Sequence, residues 1–213
     1  ALVNRALAMA HVVQRAGYPA VLTLGHLARL TDVPYSYLRQ LVERRTPDPY
    51  RHFVIAKRSG GTRLICVPEM DLARVQRWLV ENILRPVRTH PASMAYCKGS
   101  DIVKCAQAHC GTRWMIKIDL RQFFESISER QVYRVFRTLG YGALVSFELA
   151  RICTRILPPQ AKRYALARWR AVRSSEIIKD YSSPNLGHLP QGAPTSPMLS
   201  NLVMRNTDSE LEA

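Results

Sequence analysis

The stretch "HLPQGAPTSPMLSNLV" spans residues 188–203. Its first half joins Pro190 and Pro194 with Gly192, Gln191 and Thr195, and its second half turns apolar after Ser196. Proline presets φ and glycine permits positive φ, so the first half reads as a stiff turn of defined shape. From Pro194 to Glu212 the pattern predicts mostly helix. No nucleophile–base pair lies in the stretch. A stiff, small-residue turn with one glutamine at the head of a helix therefore points to a wall or positioning element rather than to a self-contained catalytic centre.

Towards the N-terminus, residues 157–187 are Pro-rich and basic and then Ser-rich, and read as an excursion before the turn. Helices are predicted over 128–138 and 142–156. Ahead of them stands "RWMIKIDLRQFFESIS", residues 113–128. Met115 to Ile118 reads as a short apolar strand interrupted by Lys117, with Asp119 at its end. An aspartate there is either a metal-binding or catalytic carboxylate or a strand-ending turn residue, and its position alone leaves both open. "MAYCKGSDIVKCAQAH", residues 94–109, gives a Lys-Gly turn with Ser100 as N-cap of a helix over 101–109. Residues 69–85 carry Leu72, Val75, Trp78, Leu79 and Ile83 at helical spacing.

Before that helix the period changes. "RHFVIAKRSGGTRLICVP", residues 51–68, is two extended runs around Ser-Gly-Gly-Thr, a hairpin signal. With Gly60 at the loop centre, Lys57 faces Arg63, Ile55 faces Ile65 and Phe53 faces Val67. Two cations opposed at a tip are unfavourable alone and are neutralised by a bound phosphate; splayed, solvated cations are the other reading. Residues 2–16, 22–31 and 34–45 read as three short helices, with Pro34 near a helix start. They resemble a small packing or docking module, and Thr-Pro-Asp-Pro at 46–49 ends it.

The 213 residues suffice for one large domain or two small ones, and 47% hydrophobic content allows a sizeable core. No apolar run approaches the ~18 residues of a membrane span, and no leader-like stretch is read at the start. Five cysteines, an odd number without a C-x-x-C pair, read as reduced thiols of a cytosolic protein, neither a disulfide framework nor a zinc site. Thirty-one Lys and Arg against sixteen Asp and Glu give a net charge of +15. That excess, spread along the whole chain, points to a broad basic surface for a polyanion, most often nucleic acid.

Taken in order, the hairpin cations, "IDLRQFF" and "LPQGAPTSP" resemble the fingers and palm of a reverse transcriptase of the retron-type bacterial group. The likeness runs over nearly the whole chain, through "LARVQRWLVENIL", "KGSDIVKCAQAH", "VFRTLGY" and "LPQGAPTSPMLSNLV". It implies an α+β fold, helix-rich, with a fingers β-hairpin and an incomplete palm sheet. It implies an N-terminal helical segment at 1–48 and fingers at 49–112 with the hairpin at 51–68. A partial palm at 113–213 would hold a first motif at 115–127, an insertion over about 142–187 and a second motif at 188–203.

The resemblance implies roles residue by residue. Asp119 matches the first catalytic aspartate, a Mg²⁺ ligand helped by the Leu120 carbonyl. Lys57 and Arg63 match the fingertip cations that clamp the triphosphate of the incoming deoxynucleotide. Phe124 matches the bulky residue that rejects a 2′-hydroxyl, and alternation of side-chain direction in an extended chain would turn Phe123 into the core. Gln191 and Gly192 match the wall of the nucleotide pocket, which accounts for the stiff turn. Mg²⁺ requires hard oxygen ligands, and two such ions, roughly 3.5–4 Å apart, flank the reacting phosphorus. The chain departs from the common retron pattern at Cys105, where asparagine is usual, while His109 of the same stretch is present as an RNA-contacting or structural candidate. The family's Tyr-x-Asp-Asp segment is not found in residues 1–213, so those residues alone are expected not to polymerise. The implied function is an RNA-directed DNA polymerase that copies an associated structured RNA, through an RNA/DNA hybrid, in anti-phage defence beside an effector protein. The alternatives are a non-catalytic RNA-binding scaffold and a group II intron or abortive-infection reverse transcriptase.

Overall fold

The computed structural model describes residues 2–45, 47–57, 62–97, 99–156 and 186–212. Helix α1 (Leu2–Arg15) leads into α2 (Leu24–Thr31) and α3 (Tyr35–Glu43). The Thr23 hydroxyl accepts from the His26 amide at 3.0 Å and caps the N-terminus of α2. Pro34 sets the entry to α3 with φ of −56°. Strands β1 (Tyr50–Ala56) and β2 (Thr62–Pro68) form the antiparallel hairpin. Then come α4 (Met70–Leu79), a π turn at Val80–Leu84, α5 (Ile102–Gln107) and the four-residue α6 (Phe123–Ser126). The last three are α7 (Glu129–Thr138), α8 (Ala143–Cys153) and α9 (Ser196–Glu212). Ser128 and Gln131 form a reciprocal capping box that starts α7.

The fold is mixed α+β: among the described residues, helices accompany one small two-stranded antiparallel sheet. One core joins the elements. Leu27 and Leu38 of the N-terminal helices, Leu72, Val75, Leu79 and Ile83 of α4 and the π turn, and Phe136, Leu149 and Ile152 of α7 and α8 belong to it. Leu189 and Leu199 bring the stretch at 188–203 into the same core. Burying each such side chain contributes about 1.5–3 kcal/mol before entropy is counted. The expected stripe along α4 is therefore correct, with Trp78 at its half-buried edge. No helix among the described residues is long and apolar enough to cross a membrane.

Three local expectations are corrected. The hairpin register is shifted by two residues: Ile55 faces Arg63, Phe53 faces Ile65 and Arg51 faces Val67. A shift of two keeps every side chain on its expected face. The buried residues Tyr50 and Cys66 anchor the base of the hairpin, and loop symmetry about Gly60 does not override that anchor. The tip at 58–61 lies outside the described residues.

Asp101, not Ser100, is the N-cap of α5, because its Oδ1 accepts from the Val103 amide at 2.8 Å. Ser100 instead closes a turn, donating to the Cys97 carbonyl. Finally, Met115–Ile118 is not a strand. Ile116 and Ile118 are 88% and 79% exposed, and no described strand lies beside them to pair their backbone groups. The predicted excursion at 157–187 lies outside the described residues, apart from its last two.

Candidate functional site

The turn at 187–192 is held by backbone on three sides. The His188 amide donates to the Arg155 carbonyl at 2.9 Å, and the Arg155 amide returns a bond of 3.0 Å to the His188 carbonyl. On the other edge, the Glu129 amide donates to the Gly187 carbonyl at 2.7 Å and the Leu189 amide to the Ile127 carbonyl at 3.0 Å. Further on, the Cys66 amide of β2 donates to the Gln191 carbonyl at 2.7 Å. The Ser196 hydroxyl, at the start of α9, donates to the Pro190 carbonyl at 2.7 Å and closes the turn from behind.

Gly192 has φ of +108°, a conformation L side chains rarely adopt. A Cβ there would lie 2.8 Å from Ile65 Cγ2 and 3.0 Å from the Cys66 carbonyl oxygen. Glycine is thus required both by the backbone and by the closeness of β2. Gln191 is half-buried and Gly192 exposed, so the turn offers one amide side chain and bare backbone at the surface of the hairpin base.

Charged side chains buttress the turn from inside. Arg44, in left-handed conformation at the end of α3, donates through Nη2 to Glu129 Oε2 at 2.8 Å and through Nη1 to the Thr154 carbonyl at 2.7 Å. Arg151 Nε donates to Glu129 Oε1 at 3.2 Å, and its Nη1 to the Val42 carbonyl at 2.7 Å. The Gly187 amide donates to Glu129 Oε2 at 3.3 Å. Arg155 pairs with Asp48, which also lies 3.2 Å from His52 Nε2. Burial lowers the Arg44 pKa, and Glu129 opposes that shift. Burial, with Arg155 and Arg44 nearby, pushes His188 down to about 3, so its imidazole is neutral at pH 7. Burial also lifts the Cys153 thiol to about 12, which leaves it unreactive.

The other residues predicted from sequence lie apart from this turn. Lys57 is exposed just past β1, and Arg63 is exposed on β2 opposite Ile55, so the two are not a cross-strand pair. Asp119 and Leu120 are exposed in an irregular segment, and Asp119 makes no hydrogen bond or ion pair with another described residue. Phe123 and Phe124 begin the short helix α6, with ring centroids 5.5 Å apart and both half-buried. Side chains do not alternate in a helix, so the extended-chain reason for separating them does not apply. His109 is exposed in the turn after α5. What the fold does bring together is Gln191–Gly192 and β2, two to three residues from Arg63.

Sequence reading missed Arg44, Asp48, Glu129, Arg151 and Arg155. Their partners lie 85 to 110 residues away in most cases. No local spacing carries that signal; a lone acidic residue beside a capping serine reads as ordinary helix chemistry.

Comparison with known proteins decides the family. The family described as "Reverse transcriptase (RNA-dependent DNA polymerase)" matches residues 55–213. The chain belongs to the reverse transcriptase family. Among reverse transcriptases it is similar to the retron Ec86 enzyme of Escherichia coli, 30% identical over 199 residues, covering 92% of this chain and 52% of that protein. The retron Mx162 enzyme of Myxococcus xanthus is 30% identical over 190 residues, covering 88% and 37%. The retron Mx65 enzyme of the same organism is 30% identical over 207 residues, covering 92% and 44%. The chain spans about half the length, or less, of these curated relatives.

The metal ligand expected from the sequence is Asp119. Its carboxylate and the neighbouring Leu120 carbonyl are hard oxygen donors of the kind Mg²⁺ takes. Among the described residues, however, no group of three or more His, Cys, Asp or Glu side chains is placed to hold a metal. Asp119 is thus one exposed donor and not a complete two-ion site.

Proposed function

We propose that the whole protein is an RNA-directed DNA polymerase of the retron type. The observation that carries the reading is the turn at 188–192, tied to β2 through Cys66 and packed so closely that only glycine fits at 192. Such a turn is a rigid wall with exposed backbone, suited to lie flat beside a newly formed base pair. In this reading 1–48 is an N-terminal helical segment, 49–112 forms fingers and 113–213 part of a palm. Gln191 and Gly192 line the nucleotide pocket, and Lys57 and Arg63 receive the triphosphate as separate cations along the hairpin. Phe124 excludes the 2′-hydroxyl, and His109 is a contact for RNA. Asp119, with the Leu120 carbonyl, supplies one ligand set for Mg²⁺, which when bound stabilises charge on the reacting phosphate oxygens. The net charge of +15 suits a polyanionic template.

By likeness to retron relatives, the template and primer are a structured RNA, the substrates are deoxynucleoside triphosphates, and the product is an RNA/DNA hybrid. In the same proposal the protein acts in the cytoplasm, in defence against phage, with an effector protein as partner. The test is primer extension by the full-length protein on an RNA template with Mg²⁺. Asp119→Asn should abolish synthesis while RNA binding survives. Near-normal synthesis by that variant removes Asp119 from the mechanism. RNA binding by a wild-type protein that never extends a primer favours the non-catalytic scaffold.

A further inference from the structure

The family match begins at residue 55, yet part of the charge that supports the turn, Arg44 and Asp48, comes from before it. Arg44 ends α3 and enters the interior with only 16% of its side chain exposed, where it meets Glu129, itself 8% exposed. Glu129 is the hub. Its two oxygens take Arg44 and Arg151, and Oε2 also accepts from the Gly187 amide. The space around that oxygen is full: a Cβ on Gly187 would sit 2.6 Å from Glu129 Oε2, 2.6 Å from Thr154 Oγ1 and 2.7 Å from Arg44 Nη2. One residue on, His188 is fixed by Arg155, and Arg155 is paired with Asp48, a second residue from before the match.

Buried ion pairs gain little net stability over apolar packing, whereas a buried charge deprived of its partner is strongly unfavourable. This cluster therefore tolerates one arrangement and penalises others. Its backbone route to the surface is the chain from Gly187 to Gln191, whose carbonyl receives the Cys66 amide.

We propose that Glu129 and Arg44 are positioning residues for the Gln191–Gly192 wall: the buried cluster sets the height of the turn against β2, so the N-terminal helices take part in deoxynucleotide binding. The functional half of this inference rests on the polymerase reading above; the positional half does not. The α1–α3 segment is thereby an internal support of the site as well as a packing or docking module.

The experiment uses the full-length protein and two variants that disturb the cluster from opposite sides. Glu129→Gln removes a charge at constant shape, and Gly187→Ala crowds the cluster with every charge kept. Glu129→Asp serves as the conservative rescue. Amide exchange at Cys66 is compared with exchange at Leu79 in α4, and KM and kcat for a deoxynucleotide are measured on RNA-templated primer extension. Loss of a charge-assisted tether predicts exchange at Cys66 faster by about tenfold or more, with Leu79 unchanged. It also predicts KM raised by about tenfold with kcat changed far less, and partial recovery in Glu129→Asp. Exchange accelerated equally at both amides, or at neither, overturns the proposal and leaves the cluster purely structural. Local acceleration with an unchanged KM overturns its functional half. Local acceleration in a protein that shows no wild-type synthesis upholds the positional half and instead defeats the polymerase reading.

Discussion

Replacing Gly192 by alanine tests the closeness of turn and hairpin directly. Two separate costs arise. The backbone holds φ of +108°, and a non-glycine residue in such a sparsely populated region costs about 1–3 kcal/mol. The added Cβ also meets the Ile65 methyl at 2.8 Å and the Cys66 carbonyl at 3.0 Å. A methyl group can rotate away; the Cys66 carbonyl belongs to a paired strand and cannot. Relief requires the turn to lift, which loses the 2.7 Å bond from the Cys66 amide to the Gln191 carbonyl, worth about 0.5–1.5 kcal/mol net. The expected loss is about 2–4 kcal/mol.

Gly17→Ala provides the comparison, because Gly17 has φ of +84° and a methyl group added there would meet nothing within 4 Å. It should cost only the backbone share, about 1–3 kcal/mol. Denaturant unfolding of the full-length protein measures both, and amide exchange at Cys66 reports the lost bond. Equal losses in the two variants, with Cys66 still protected, would refute the close approach on which the wall rests.

Phe124→Ala should admit ribonucleotides, raising their kcat/KM relative to deoxynucleotides by about tenfold or more. The same gain from Phe123→Ala alone would exchange the roles of the two rings. RNA affinity should fall steeply with salt, with a log–log slope on the order of −4 to −5 for roughly six phosphate contacts; a slope near zero would separate the basic surface from binding. His188 should make stability pH-dependent. Its folded pKa of about 3 lies below the ordinary 6.5, so the unfolded chain binds the proton more readily. The contribution is complete above pH 6.5 and is lost as pH falls toward 3, with a slope reaching about 1.4 kcal/mol per pH unit. Subtracting a His188→Gln profile from wild type isolates it, and identical profiles would show that the buried imidazole does not titrate as described.

Much was legible in the sequence because it is written in local chemistry. Helices α1 to α4 and α7 to α9 follow apolar spacing and capping residues, and a hairpin at 51–68 follows from two extended runs around Ser-Gly-Gly-Thr. The stiff turn at 188–192 follows from Pro190, Gln191 and Gly192, and the ordered motifs led to the reverse transcriptase family. The hairpin register was not legible. A period of two fixes faces but leaves shifts of two undecided, and burial of Tyr50 and Cys66 decides it. The Met115–Ile118 strand failed for a related reason: an extended run becomes a strand only beside a partner. Above all, the buried charges are a tertiary matter. Nothing near Glu129 in the sequence marks it as the partner of Arg44, 85 residues away. Local residues determine which elements form and which turn is stiff; where that turn sits is decided by long-range backbone bonds and buried ion pairs, because a buried charge must find its counter-charge wherever the fold brings one.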